Sequence, residues 1–143
     1  MRLGRRKAVD RSAAEKYRRV ADGLLESARS LVHLADEDDH YGNAIAIVAI
    51  HAAVAWADTL CIAYAGMKST DGDHARAADL VQDALGTRAD EQALKSLRSA
   101  LQKKDQVSYG GDYYRVSEAR ALLTRVEVFC SWAEKAYESR PRS

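Results

Sequence analysis

The sequence predicts an all-α protein: an up-and-down antiparallel bundle of five helices, four long and one short. Three observations carry that prediction. Alanine is abundant throughout and β-branched runs are rare, which favours helix over strand. The single proline, Pro141, lies beyond every periodic segment, so nothing interrupts a helix before it. Apolar residues recur at helical spacing, and no segment sustains a period of two.

Ser12-Ala-Ala-Glu15 reads as a capping box, in which hydroxyl and carboxylate satisfy each other's orphan backbone donors. The first helix, about 12–36, carries a stripe of Tyr17, Val20, Ala21, Leu24, Ala28, Leu31 and Leu34 or Ala35, with Arg and Glu opposite. An acidic run, Asp36-Glu37-Asp38-Asp39, and Gly42 end it. The second helix, 43–65, is apolar all round, with Ile47, Ile50, Val54 and Cys61 on one face and Ile45, Ala52, Trp56 and Leu60 on another. Such a helix belongs in the middle of a bundle, and Gly66 stops it.

A short third helix spans about 73–85, with Leu80, Val81 and Leu85 inward and Gly86 as its C-cap. The fourth, about 89–107, buries Leu94, Leu97, Ala100 and Leu101. Ser117 opens the last, whose stripe runs from Ala119 through Leu122, Val126, Phe129 and Ala133 to Tyr137. Residues 12–138 form one domain, preceded by a basic, partly disordered leader at 1–11 and followed by a flexible tail at 139–143. Short connections between the helices imply antiparallel neighbours.

Composition removes several function classes. With 47% hydrophobic and 30% charged residues, the 143-residue chain is not disordered and needs neither metal nor disulfide for a core. The net charge of +1 hides an asymmetry. Residues 1–19 hold eight basic side chains against Asp10 and Glu15, a net of +6, leaving −5 elsewhere. A basic end steers anions, although a solvated leader has the same composition. No apolar signal-peptide core follows the first basic residues, so a cytoplasmic location is expected. Residues 44–65 are long enough to span a bilayer, but the stretch is mostly alanine and carries His51 and Asp58. It is read as a buried core helix, with no membrane partner. Cys61 and Cys130 both sit in apolar helical contexts and are expected to be reduced core thiols.

The chemistry-bearing residues cluster where the fourth helix ends: Lys103, Lys104, Asp105 and Tyr109, before Gly110-Gly111, then Tyr113, Tyr114 and Arg115. Glycine alone tolerates positive φ without cost, so the pair marks a sharp exit that leaves polar groups at a helix terminus. Interleaved aromatic and basic side chains suit RNA, a protein partner, or simple anchoring of the loop. Asp58 and His51 lie seven apart, about 10 Å along one helix face. Asp58 is expected to have a basic partner close to segment 101–111, because a buried charge must be paired. His51 is read either as a cleft residue or as a hydrogen-bonded core histidine. Glu37-x-x-His40 and Asp71-x-x-His74 resemble halves of bundle metal sites, but both fall at helix boundaries without further inward carboxylates. No metal and no cofactor is therefore expected.

The layout resembles the HEPN superfamily (higher eukaryote and prokaryote nucleotide-binding domains) across roughly residues 12–138. The resemblance rests on the alanine-rich helix from Ala44 to Asp58, then Gly66 and His74 opening a short helix. It continues in Leu97-x-x-Ala100-Leu-x-x-Lys104-Asp-x-Val-x-Tyr109-Gly-Gly111 and the final-helix pattern from Ala121 to Ala133. Many members of that family are metal-independent RNases, often toxins. They use an Arg-x(4–6)-His motif at this point, in a cleft shared by two protomers. The guanidinium would hold the phosphate and the imidazole would move the 2′-hydroxyl proton.

This chain departs from that pattern. Arg98 is followed at the required interval by Lys103, Lys104 and Asp105, none of them histidine. The resemblance thus implies a bacterial subgroup with a degenerate cleft, whose remaining candidates are Lys104, Tyr109, Arg98 and Asp58. A binding or regulatory module is expected. An active RNase using Lys, Arg and Tyr, and a ligand- or metal-binding bundle, are the alternatives. The resemblance also implies a homodimer with the second and fourth helices and the Gly-Gly turn near its interface. It suggests an antitoxin or nucleotidyltransferase partner, or RNA or a nucleotide.

Overall fold

The computed structural model describes residues 6–37, 40–70, 76–108 and 113–141. It is all-α apart from two three-residue strands. The elements are β1 (Arg6–Ala8), α1 (Ala14–Leu34), α2 (Gly42–Ala65), β2 (Met67–Ser69), α3 (Ala77–Leu85), α4 (Glu91–Leu101), α5 (Lys104–Ser108) and α6 (Val116–Glu138). The helix expected over 89–107 is therefore two pieces, because the chain turns at Gln102 and Lys103 before the one-turn α5. Of the helices expected to be long, only α1, α2 and α6 exceed twenty residues.

α2 is the centre. Sixteen of its residues are buried, with Trp56 and Ile50 each 1% exposed. It passes the length and hydropathy test for a membrane span, but 72% of that apolar window is covered by the rest of the protein. α1 and α6 supply most of that cover, followed by α3. The helix directions follow from bonds along their lengths. Glu15 meets Tyr137, Arg29 meets Glu127 and Glu37 meets Arg120, so α1 and α6 run antiparallel. Asn43 bonds Tyr114 at one end while Tyr64 bonds Ala136 at the other, so α2 and α6 run parallel. Parallel packing of these two is a departure from purely antiparallel neighbours. Small side chains on α2 explain how its neighbours approach so closely: Ala46, Ala49, Ala53 and Ala57 are all at most 1% exposed.

Three terminal details differ from the sequence expectation. The capping role expected of Ser12 falls to Asp10, whose Oδ1 accepts the Ser12 N–H at 2.9 Å and opens a 3₁₀ turn ahead of α1. Glu15 is thereby free of a capping box and reaches Arg18 and the Tyr137 hydroxyl instead. Part of the basic leader is ordered: β1 pairs antiparallel with β2, Lys7 opposite Lys68. The Val9 N–H donates to the Gly66 carbonyl at 2.8 Å, fastening the leader to the end of α2. Gly66 holds φ +65°, a left-handed C-cap that a side chain would disfavour. Finally, α6 begins at Val116, where the Arg115 N–H donates to the Glu118 carboxylate, so Ser117 is not its cap.

Gly42 does not end α1. It opens α2 against the backbone of the α6 entry, where an added Cβ would lie 1.7 Å from the Tyr114 carbonyl oxygen. Gly23, in the middle of α1, has nothing within 4 Å of that position. Gly42→Ala is expected to lower stability by about 3 kcal/mol, as overpacking against rigid backbone does. Gly23→Ala is expected to raise it by about 0.5–1 kcal/mol through helix propensity. Chemical denaturation of the two variants side by side checks the opposite signs.

The Glu15 carboxyl is pulled down to about 2 from an ordinary 4.5 by its bonds to Arg18, with the Tyr137 hydroxyl adding to the effect. A depressed carboxylate stabilises the fold above its unfolded pKa, and that contribution fades as pH falls through its folded value. Thermal melts should show Glu15→Gln less stable than wild type at pH 7, with the gap closing between pH 4.5 and about 2. A gap that is constant across this window would assign the loss to packing rather than charge.

Candidate functional site

The described residues among those singled out by sequence do not form one cleft: Lys103, Lys104, Tyr113, Tyr114 and Arg115 lie toward the N-terminal end of α2, Asp58 toward its C-terminal end, and Arg98 on α4. At the N-terminal end, Asn43 uses both atoms of its amide. Its Oδ1 accepts the Tyr114 N–H at 2.9 Å, and its Nδ2 donates to the Val107 carbonyl at 2.9 Å. One half-buried side chain therefore ties the end of α5 to the entry of α6. Between these anchors in sequence lie Tyr109, Gly110 and Gly111, which are outside the described residues.

Around this clamp the structure places most of the basic and aromatic candidates. Lys103 and Lys104 are half-buried at the α4–α5 break, and the Lys103 carbonyl accepts the Val107 N–H. Tyr113 is 59% exposed, while Tyr114 is 5% exposed and its hydroxyl is pushed upward in pKa by burial. Tyr114 thus anchors the entry to α6 and Tyr113 is presented. Exposed Arg115 joins Tyr113, Glu37 and Ser117 around a cleft of about 290 Å³. Glu37 is held there by Arg120 at 2.6 Å.

Arg98 lies outside this group. It is exposed on α4 and its guanidinium is engaged by Asp79 of α3 at 3.2 Å. Asp58 is further away, fifteen residues along α2 from Asn43 and so about 22 Å along the axis. The described part of segment 101–111 is tied to the opposite end of α2, where Asn43 bonds the Val107 carbonyl, so the expected approach of Asp58 is not seen among the described residues. Its basic partner is Lys68 of β2, with Nζ 4.0 Å from Oδ2, and the Ser69 hydroxyl donates to Oδ1 at 3.3 Å. Lys68 also stands 5.2 Å from the Tyr17 ring centroid, a cation–π distance. Asp58 therefore fastens β2 to α2. His51 is exposed and so is not a core histidine.

Of the two metal motifs only Glu37-x-x-His40 lies among the described residues, and there Glu37 is engaged by Arg120. His40 is exposed and stacks on Tyr41, ring centroids 4.8 Å apart. Asp71-x-x-His74 is outside the described residues. Among the described residues no group of three or more His, Cys, Asp or Glu side chains is placed to hold an ion. Cys61 and Cys130 are buried and free, and burial pushes each thiol up to about 12, which leaves them without nucleophilic character at neutral pH. A cleft of about 260 Å³ between α1 and α6 has Trp56 and Cys130 in its lining and is crossed by the Arg29–Glu127 ion pair, 2.7 Å.

Sequence reasoning missed Asn43. A polar residue at a helix start reads as a cap, and its partners stand 64 and 71 positions away. The amide needs a donor and an acceptor together, so Asn43→Ala is expected to cost about 1–3 kcal/mol, the price of leaving two backbone groups unmatched. Asn43→Asp keeps the acceptor for Tyr114 but sets a carboxylate against the Val107 carbonyl, and should cost at least as much. Urea unfolding of both variants, with amide exchange at Tyr114, reads the loss directly.

No family model, curated protein or solved structure matches the chain.

Proposed function

We propose that this protein is a cytoplasmic, HEPN-like helical module that binds RNA in a regulatory role and does not cleave it. The observation that carries this reading is the pole held by Asn43. There Lys103, Lys104, exposed Tyr113 and Arg115 gather near Val107 and Tyr114, the two residues that Asn43 bonds. A positive rim with a presented aromatic ring is what a single strand needs: cations track phosphates and the ring stacks a base. Lysine is depleted in protein–protein interfaces, which favours RNA over a protein partner at this surface.

The catalytic alternative has less support. A transesterifying site needs a phosphate-binding cation and a proton acceptor within hydrogen-bond reach of one substrate. Of the candidates for such a site, Arg98 is engaged by Asp79, and Asp58 lies about 22 Å from the pole along α2. The carboxylate on the pole cleft, Glu37, is engaged by Arg120 at 2.6 Å.

Fluorescence anisotropy with a labelled single-stranded RNA, alongside gel analysis of the same RNA, tests the reading. The RNA should stay intact, and binding should weaken with salt. Lys104→Ala and Arg115→Ala should each reduce affinity several-fold and lower the salt slope by roughly 0.7, the counterion release of one lost phosphate contact on a single strand. Cleavage that Lys104→Ala abolishes would instead establish an RNase. Absence of binding at low salt would remove RNA as the ligand.

A further inference from the structure

α1 and α6 both pack on α2 and scarcely on one another, which leaves the cleft of about 260 Å³ between them. Its two walls are helix faces of the same spacing. Asp22, Glu26 and Arg29 on α1 face Glu127, Ser131 and Glu134 on α6, and each wall spans seven residues of rise, about 10 Å. The helices run antiparallel, so the Arg29–Glu127 pair closes one end while Asp22 and Glu134 stand at the other. Leu25, Trp56 and Cys130, all buried, make an apolar floor.

Four carboxylates line this cleft against the single guanidinium of Arg29. Two of them are neutralised within the chain, Asp22 by Arg18 and Glu127 by Arg29. Glu26 and Glu134 have no cationic partner among the described residues. With Arg29 opposite Glu127, Glu134 falls level with Asp22. Glu26 therefore stands about one turn from it on the other wall, about 6 Å along the axis.

Beneath the carboxylates lies a donor without an acceptor. Trp56 is 1% exposed and lines the cleft, yet its indole N–H donates to no described residue and is not sealed from solvent. The N–H therefore opens on the cleft, and a buried indole usually finds an acceptor. Arg29 adds to this donor set. Its Nε meets Glu127, and its two amino groups bond no described residue.

We propose that this cleft binds a small aliphatic molecule carrying an ammonium group at each end of a short chain. Glu26 and Glu134 take the two ammonium groups through charge-assisted hydrogen bonds. The methylenes between them lie over Leu25, Trp56 and Cys130, where they are removed from water. A carboxylate on the same chain, as in a basic amino acid, meets the Trp56 N–H and the free edge of Arg29. A plain diamine leaves those donors to water. The same carboxylates repel phosphate, and the cleft shares no residue with the Asn43 pole, so this site goes beyond the RNA-binding reading.

Isothermal titration calorimetry of the full chain at low salt, with 1,5-diaminopentane and L-lysine as probes, provides the test. At least one should bind saturably, and the heat should fade as salt is raised, because both carboxylates are exposed. Glu26→Gln/Glu134→Gln, altered only at exposed positions, should weaken that binding about tenfold or more with unchanged helical circular dichroism. 1-Aminopentane, with one ammonium group, should bind wild type at least about tenfold more weakly than the better of the two probes. Lysine binding tighter than the diamine, with the preference lost in Trp56→Phe, assigns the indole N–H to a carboxylate. A diamine that binds as tightly or more so assigns the cleft to a plain diamine. No saturable heat from either probe up to about 10 mM overturns the proposal. So does binding that the double variant leaves unchanged, or that 1-aminopentane or magnesium chloride matches, since either marks a diffuse acidic surface. RNA affinity of the double variant separates the two readings: it should not fall, whichever way the calorimetry turns out.

Discussion

An apolar helix of 24 residues has to be covered along most of its circumference, and the rest of this fold follows from meeting that demand. α1 and α6 cover two sides of α2, and α3 with α5 covers a third near the helix ends. None of these neighbours is apolar all round. α1, α3 and α6 each turn one stripe to α2, and α4 packs chiefly on α6. The ion pairs between α1 and α6, such as Arg29 with Glu127, lie at partly exposed positions. Pairs of that kind contribute little to stability and serve to set alignment.

Both ends of α2 are finished by polar devices that hold the flanking chain. At the N-terminal end, Gly42 lets the Tyr114–Arg115 backbone sit on the helix, and Asn43 bonds the chain entering and leaving the loop. At the C-terminal end, Gly66 turns the chain in the left-handed region, and Asp58 holds β2 through Lys68 and Ser69. β1 then adds itself to β2, which places part of the basic leader against the end of the bundle. A two-stranded ribbon of three residues has no independent stability, so its order depends on the Asp58 pair and on the Val9 bond to Gly66. The placement of Asp58 is therefore explained by architecture, and chemistry is not needed to account for a buried acid in an apolar helix.

Much of the fold was legible because the strongest signal, the all-round apolar run of α2, is local and compositional. The stripes of α1 and α6 were legible for the same reason, as were the stops at Gly66 and Gly86. What escaped depended on distant pairing. A three-residue strand cannot display a period of two, so β1 and β2 left no trace in the sequence. Asp58 suggested a cation, yet nothing local distinguished Lys68, ten residues on, from the lysines of segment 101–111. The break between α4 and α5 was equally silent, since Gln102 and Lys103 are both good helix formers and tertiary packing of Val107 overrides them. At the candidate site, the basic and aromatic residue types were visible and their anchor was not.

The division of labour between Tyr113 and Tyr114 shows why residue type alone could not assign function here. Two adjacent tyrosines in a loop have opposite environments, 59% and 5% exposed. The difference arises because the Tyr114 backbone is bonded to Asn43 and its carbonyl lies against Gly42, which turns its ring toward the core. Tyr113, one residue earlier, is directed outward by the same constraint. The surface offered to a ligand is thus decided by α2, through two residues that would never touch that ligand. A substitution at Gly42 or Asn43 would therefore move Tyr113 and Arg115 together, whereas a change at Lys104 would remove one charge and leave the frame in place. That contrast distinguishes residues that position the pole from residues that make its contacts.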